Sequence, residues 1–129
     1  MTLAIWILRI GVFGTFLGHG LYALTKKASW LPYLSTIGFS TETGQSLMPI
    51  IGMVDILVAL VVLIKPNKYV LFYAIFWAFA TALIRPISGE PFLEFIERSA
   101  NWAAPLALLL LLRTLQNNKE PKVTKAGQS

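Results

Sequence analysis

This sequence predicts an all-α, polytopic membrane protein, a single bundle of four transmembrane helices, on three observations. Hydrophobic residues make up 56% of the chain and charged residues only 13%, outside the balance of a soluble domain. The apolar residues gather into four long runs separated by charged or turn-forming segments. A length of 129 residues holds about four spans of ~20 residues each, because a helix rising ~1.5 Å per residue must cross ~30 Å of hydrocarbon. Residues 1–116 then form one domain. Residues 117–129 read as a disordered, basic cytoplasmic tail.

The first span runs from Leu3 to Leu24. Arg9 lies inside the apolar run and Lys26-Lys27 follow it, so the segment reads as a retained anchor and not as a cleaved signal. Gly14 and Gly18 have the GxxxG spacing that lets two helix backbones approach in lipid, and Gly11 falls beside them. Arg9, Val12, Phe16, His19 and Gly20 lie broadly on another face.

Residues 26–46 read as a loop, with an apolar patch at Trp30-Leu31-Pro32-Tyr33-Leu34 and turn chemistry at Ser40-Thr41-Glu42-Thr43-Gly44. Aromatics beside a span sit at headgroup level, so the loop is interfacial or forms a lid over the bundle.

The second span, Leu47 to Ile64, ends at the cationic turn Lys65-Pro66-Asn67-Lys68. Its one charged residue, Asp55, shares a face with Met48, Gly52, Ala59 and Val62, a stripe of small residues that marks a protein-facing side. The third span is Tyr69 to Ile84. Tyr69, Tyr73, Trp77 and Thr81 recur every four residues, and Ala74, Ala78 and Ala82 form a separate close-packing stripe. Pro86 disfavours helix at Arg85 and should end this span there.

The fourth span must begin in the charged stretch before it, since Ala100 to Leu112 alone is too short to cross. Started at Pro91, it places Glu94, Glu97, Arg98 and Asn101 on one face. Pro105 should kink it.

The formal charge of +5 does not point to nucleic acid. Lys119, Lys122 and Lys125 cluster after the last span, as a topology signal would. The side bearing both termini also collects Lys65, Lys68 and Arg113, against Lys26, Lys27, Arg85 and Arg98 on the other, which places both termini in the cytoplasm. No cysteine is present, which excludes disulfides, thiolate chemistry and iron–sulfur ligation within the chain. One histidine excludes bis-histidine haem, the Glu-x-x-His pairs of carboxylate di-iron bundles are missing, and there is no nucleotide loop or GxSxG elbow, so no metal site is expected.

Helical rise places His19 about 7 Å and Asp55 about 12 Å in from the outer helix ends, with Arg9 roughly 22 Å deep. His19, Asp55 and the descending Glu94, Glu97, Arg98 and Asn101 are thereby expected to meet in a polar pocket in the outer half of the bundle. Tyr73 and Trp77 would supply a flat wall. Arg9 either reaches Asp55 or extends to the cytoplasmic interface. Each member also has a plainer reading: a structural ion pair for Asp55, a packing histidine for His19, and a solvated face for Glu94, Glu97 and Arg98.

At Ile7-Leu8-Arg9-Ile10 followed by Gly14, Phe16 and Gly18-His19-Gly20, and again at Gly52-Met53-Val54-Asp55-Ile56-Leu57, the chain resembles the DoxX-like family of small four-helix membrane proteins. The resemblance covers mainly the first two spans, with Arg9, Gly14, Gly20 and Asp55 at matching positions. It implies a bacterial inner-membrane, redox-accessory protein with no intrinsic cofactor, binding a quinone or similar amphipathic ligand and taking electrons from a partner. Arg9, His19 and Asp55 would then supply hydrogen bonds and protons. The alternatives are a scaffold subunit, docking through its small-residue stripes to itself or to a larger membrane complex, and a small-solute transporter.

Overall fold

The computed structural model describes residues 2–25 and 30–119. Six helices follow in order: α1 (Thr2–Leu24), α2 (Leu31–Thr36), α3 (Thr41–Ile64), α4 (Lys68–Ile87), α5 (Leu93–Glu97) and α6 (Ser99–Lys119). Four segments are long and apolar enough to cross a membrane, namely α1, α3, α4 and the α5–α6 unit. The protein is thus an all-α, multi-pass membrane bundle.

Around the bundle the order is α3, α1, α6, α4: α1 lies along α3, α6 bridges α1 and α4, and α3 touches α4 at few places. The α1–α3 crossing is set by glycine. A Cβ on Gly20 would fall 2.7 Å from Ile56 Cγ1 and 2.9 Å from the Gly52 carbonyl, and one on Gly52 would fall 2.7 Å from the Gly20 carbonyl. Backbone meets backbone here, so no side chain fits. Gly11, Gly14 and Gly18, in contrast, have no atom within 4 Å of a would-be Cβ and look away from the bundle. The core is built from Val12, Phe16, Ala59, Val62, Leu71, Ala74, Ala78 and Leu108. Both small-residue stripes, Met48-Gly52-Asp55-Ala59-Val62 on α3 and Ala74-Ala78-Ala82 on α4, are buried.

Helix ends depart from the sequence expectation in five places, four of them with a local cause. The Ser40–Gly44 stretch is the start of α3 and not a turn, because the Ser40 hydroxyl accepts from the Thr43 amide at 3.2 Å as an N-cap. Within the expected loop, α2 forms and is closed by Gly38 at φ 100°, with Gly38 and Phe39 amides returning to the Ser35 and Leu34 carbonyls.

Further along, α4 runs through Pro86, whose missing N–H withdraws only one late hydrogen bond. It stops at Gly89, also at φ 100°, where Gly89 and Glu90 donate to the Pro86 and Arg85 carbonyls. The fourth span is broken at Arg98: Ser99 Oγ donates to the Ile96 carbonyl at 2.7 Å, and the Arg98 amide closes a tight turn on the Phe95 carbonyl three residues back. Glu94 and Glu97 therefore sit on α5 and Asn101 on α6, and the four polar residues do not share one continuous helix face. At the other end α6 carries through Asn117, Asn118 and Lys119. The rest of the tail, and Lys26 and Lys27, lie outside the described residues.

The turn Lys65–Asn67 joins α3 to α4, with Asn67 Oδ1 accepting from the Tyr69 and Val70 amides. Held together there and touching little beyond it, the two helices leave a gap toward their other ends. That gap is bridged by α2, which packs on both. Leu31 and Leu34 of α2 rest over Gly44, 3.4–3.6 Å from where a Cβ would be.

Candidate functional site

A cavity of ≈ 220 Å³ occupies the gap. Asp55 and Trp77 lie deepest along their helices. Met48 and Ile51 of α3, Ala80, Thr81 and Ile84 of α4, and His19 and Ala23 of α1 form walls that are mostly apolar. Trp30, Tyr33, Leu34 and Ile37 cover it from the α2 side, and Arg85 and Arg98 close the rim. His19 meets Trp30 edge to face at 5.8 Å, so the end of α1 and the entry to α2 are joined by a ring contact.

Asp55 is 2% exposed, and its Oδ1 has no hydrogen-bond partner. The Trp77 indole is the polar side chain that faces the carboxyl. A carboxyl at this depth with an unused acceptor costs free energy, and such groups in membrane bundles mark sites. Two arginines lie in the walls of the same cavity, but neither is paired with Asp55. Both are held elsewhere.

Arg85 donates to the Tyr33 hydroxyl at 3.0 Å and lies 3.8 Å from Glu90 and 3.9 Å from Glu94. Arg98 is paired with Glu94 at 2.6 Å and also donates to the Glu94 carbonyl. Tyr33 donates to Glu90 Oε1 at 2.6 Å, completing a chain of contacts from α2 to α5. Burial, then the bond to Glu90, raises the Tyr33 pKa above its ordinary value, so the phenol stays neutral and keeps its proton to donate. Thr36 and Ser88 hydroxyls, 2.9 Å apart, add a second tie between α2 and the end of α4.

His19, Asp55, Trp77 and Arg98 are thus brought into one cavity, and the other candidate positions are not. Arg9 lies at the opposite end of the bundle. It stacks over Trp6 at 3.9 Å and donates to the carbonyls of Val62, Leu63 and Ile64. Those are orphan acceptors of the α3 C-terminus, where a cation is favoured, so this arginine caps a helix and does not approach Asp55. Tyr73 stacks on Trp77 at 6.3 Å from behind. Glu94 serves Arg98, Glu97 is mainly exposed, and Asn101 is outside the lining.

Among the lining residues outside the candidate set, Trp30, Tyr33, Arg85 and Met48 carry the largest or most polar side chains. In the sequence Trp30 and Tyr33 belong to an apolar patch, interfacial or a lid, Arg85 is a second cation on the side of Glu94 to Asn101, and Met48 is a member of the small stripe. Contacts spanning 57 residues, such as Tyr33 to Glu90, leave no local pattern.

Fold and cavity define the class: a small multi-pass membrane protein with a largely apolar, acid-bearing cavity under a short helical cover. Family models, characterised proteins and solved structures were all compared with this chain, and none matches.

Proposed function

We propose that this protein is a redox-accessory subunit of a bacterial inner membrane that binds a quinone-like or other amphipathic ligand in the α2-capped cavity, with both termini cytoplasmic and the cavity in the outer half. The observation that carries the reading is the convergence of His19, Asp55, Trp77 and Arg98 from separate elements onto one mostly apolar cavity. Its volume is small beside the ~300–1,000 Å³ of drug-sized sites. That size suits a single ring, with any long tail left in the bilayer. Trp77 and Trp30 offer flat surfaces, and Asp55, His19 and Arg98 offer polar ends for a ring oxygen. Electrons would come from a partner protein.

The reading is tested by titrating a short-chain quinone into the purified protein in nanodiscs and following tryptophan emission. Saturable quenching is expected, weakened about tenfold by Trp77→Ala, which removes stacking area, and unchanged in Glu42→Gln. A linear, non-saturating response in the wild type removes the ligand site.

A scaffold role has its own support, because Gly11, Gly14 and Gly18 meet no protein atom and leave one flank of α1 smooth.

A further inference from the structure

The walls of the cavity say what kind of polar group it takes. The end of α1 walls it through His19 and Ala23, and α2, tied down by Tyr33–Glu90 and Thr36–Ser88, covers its end. The side left is the seam between α3 and α4, which touch least among the neighbouring membrane-crossing helices. Exposed apolar side chains lie one helical turn from lining residues on both helices, Val54 three residues from Ile51 on α3 and Phe76 four residues from Ala80 on α4, so the seam opens on hydrocarbon. Whatever enters this way is lipid-soluble.

Two buried atoms of lining residues are without a partner: Asp55 Oδ1, which calls for a donor, and Nε of Arg85 at the rim, which calls for an acceptor. Nη1 of Arg85 is committed to Tyr33 and Nη1 of Arg98 to Glu94, and neither arginine is bonded to Asp55. An ammonium could supply that donor, but it would share the cavity with two guanidinium groups in the wall. A neutral hydroxyl supplies it without that repulsion.

Resting on the ligand reading above, we propose that the cavity selects a neutral, lipid-soluble alcohol or phenol whose hydroxyl donates to Asp55 Oδ1 and which arrives from the bilayer through the α3–α4 seam. Among quinone-like compounds this is the reduced, hydroxyl-bearing form. Trp77 lies against the ring, and the Arg85–Tyr33 contact holds the cover in place.

Three brominated probes decide it in phosphatidylcholine nanodiscs: a short alkylphenol, its methyl ether and the matching alkylammonium, each read by saturable quenching of tryptophan emission. The phenol is expected to bind about tenfold tighter than the ether, the effect of one hydrogen bond to a buried acceptor. That gap should close in Asp55→Leu and persist in part in Asp55→Asn, which keeps an oxygen there. Equal binding of phenol and ether by the wild type overturns the hydroxyl assignment and leaves the ligand site standing. Tightest binding by the ammonium overturns it in favour of a cationic ligand. No saturable binding by any probe removes the ligand site itself.

The route is tested separately. The chain has no cysteine, so Thr36→Cys with Ser88→Cys gives one disulfide that locks α2 down. Phenol uptake should continue at the wild-type rate when the pair is oxidised; a block relieved by reductant overturns entry through the seam.

Discussion

At Gly52 the cost of a single carbon is set by what surrounds it. The nearest atoms to a would-be Cβ are the Gly20 carbonyl oxygen and the Leu24 backbone nitrogen and side chain, all under 3.0 Å, and backbone cannot step aside as a flexible side chain can. Gly52→Ala should therefore destabilise the protein by about 1–3 kcal/mol, the usual cost of overpacking. Gly11→Ala, facing open space, should be neutral or slightly stabilising, since alanine is the better helix former by ~1 kcal/mol. Thermal denaturation of both variants in the same detergent checks the contrast. Arg9 makes the same point about position. As a residue type inside a span it suggested a partner for Asp55, yet its length and its place near the α1 N-terminus let it satisfy the carbonyls that end α3.

Among the elements, α2 depends most on contacts from outside itself. It has only six residues, too few to be stable as an isolated helix, and it stays over the cavity through Leu31, Leu34, Tyr33 and Thr36. Tyr33→Phe removes the hydroxyl that donates to Glu90 and accepts from Arg85. It should loosen the cover at a cost of about 1 kcal/mol, seen as faster amide exchange in residues 31–37.

The pH dependence of this tie has a definite sign. Its folded-state pKa is raised above the ordinary tyrosine value of 10.0. The contribution is therefore complete below that value and is lost as pH rises through the higher folded value. Protection of residues 31–37 should be flat through neutral pH and fall only in the alkaline range, with the alkaline fall reduced in Tyr33→Phe. A fall near neutrality would contradict this account.

For the molecule as a whole, the outward Gly11-Gly14-Gly18 flank is the natural place for a second helix to lie. If the protein docks there, replacing Gly14 and Gly18 with leucine should shift its size on native gels from a complex to a single copy, while ligand quenching is unaffected. An unchanged size leaves the scaffold reading without support.

Much of this architecture is legible in the chain because hydrocarbon imposes simple rules. Span number, the burial of Asp55 with its small-residue stripe, and the alanine face of α4 all follow from apolar length and helical period. Polar neighbours were less legible. His19, Asp55, Trp77 and Arg98 are brought together, but Arg9, Tyr73, Glu97 and Asn101 are not. A helical period tells which residues share a face and not which neighbouring helix that face meets. Only the tertiary structure decided that α1 separates α3 from α6, that α3 and α4 splay apart beyond their turn, and that Tyr33 reaches Glu90 across the chain to close the cavity. Those outcomes depend on where two glycines allow backbones to touch and where hydrogen bonds bridge distant segments, and no local pattern in the sequence encodes either.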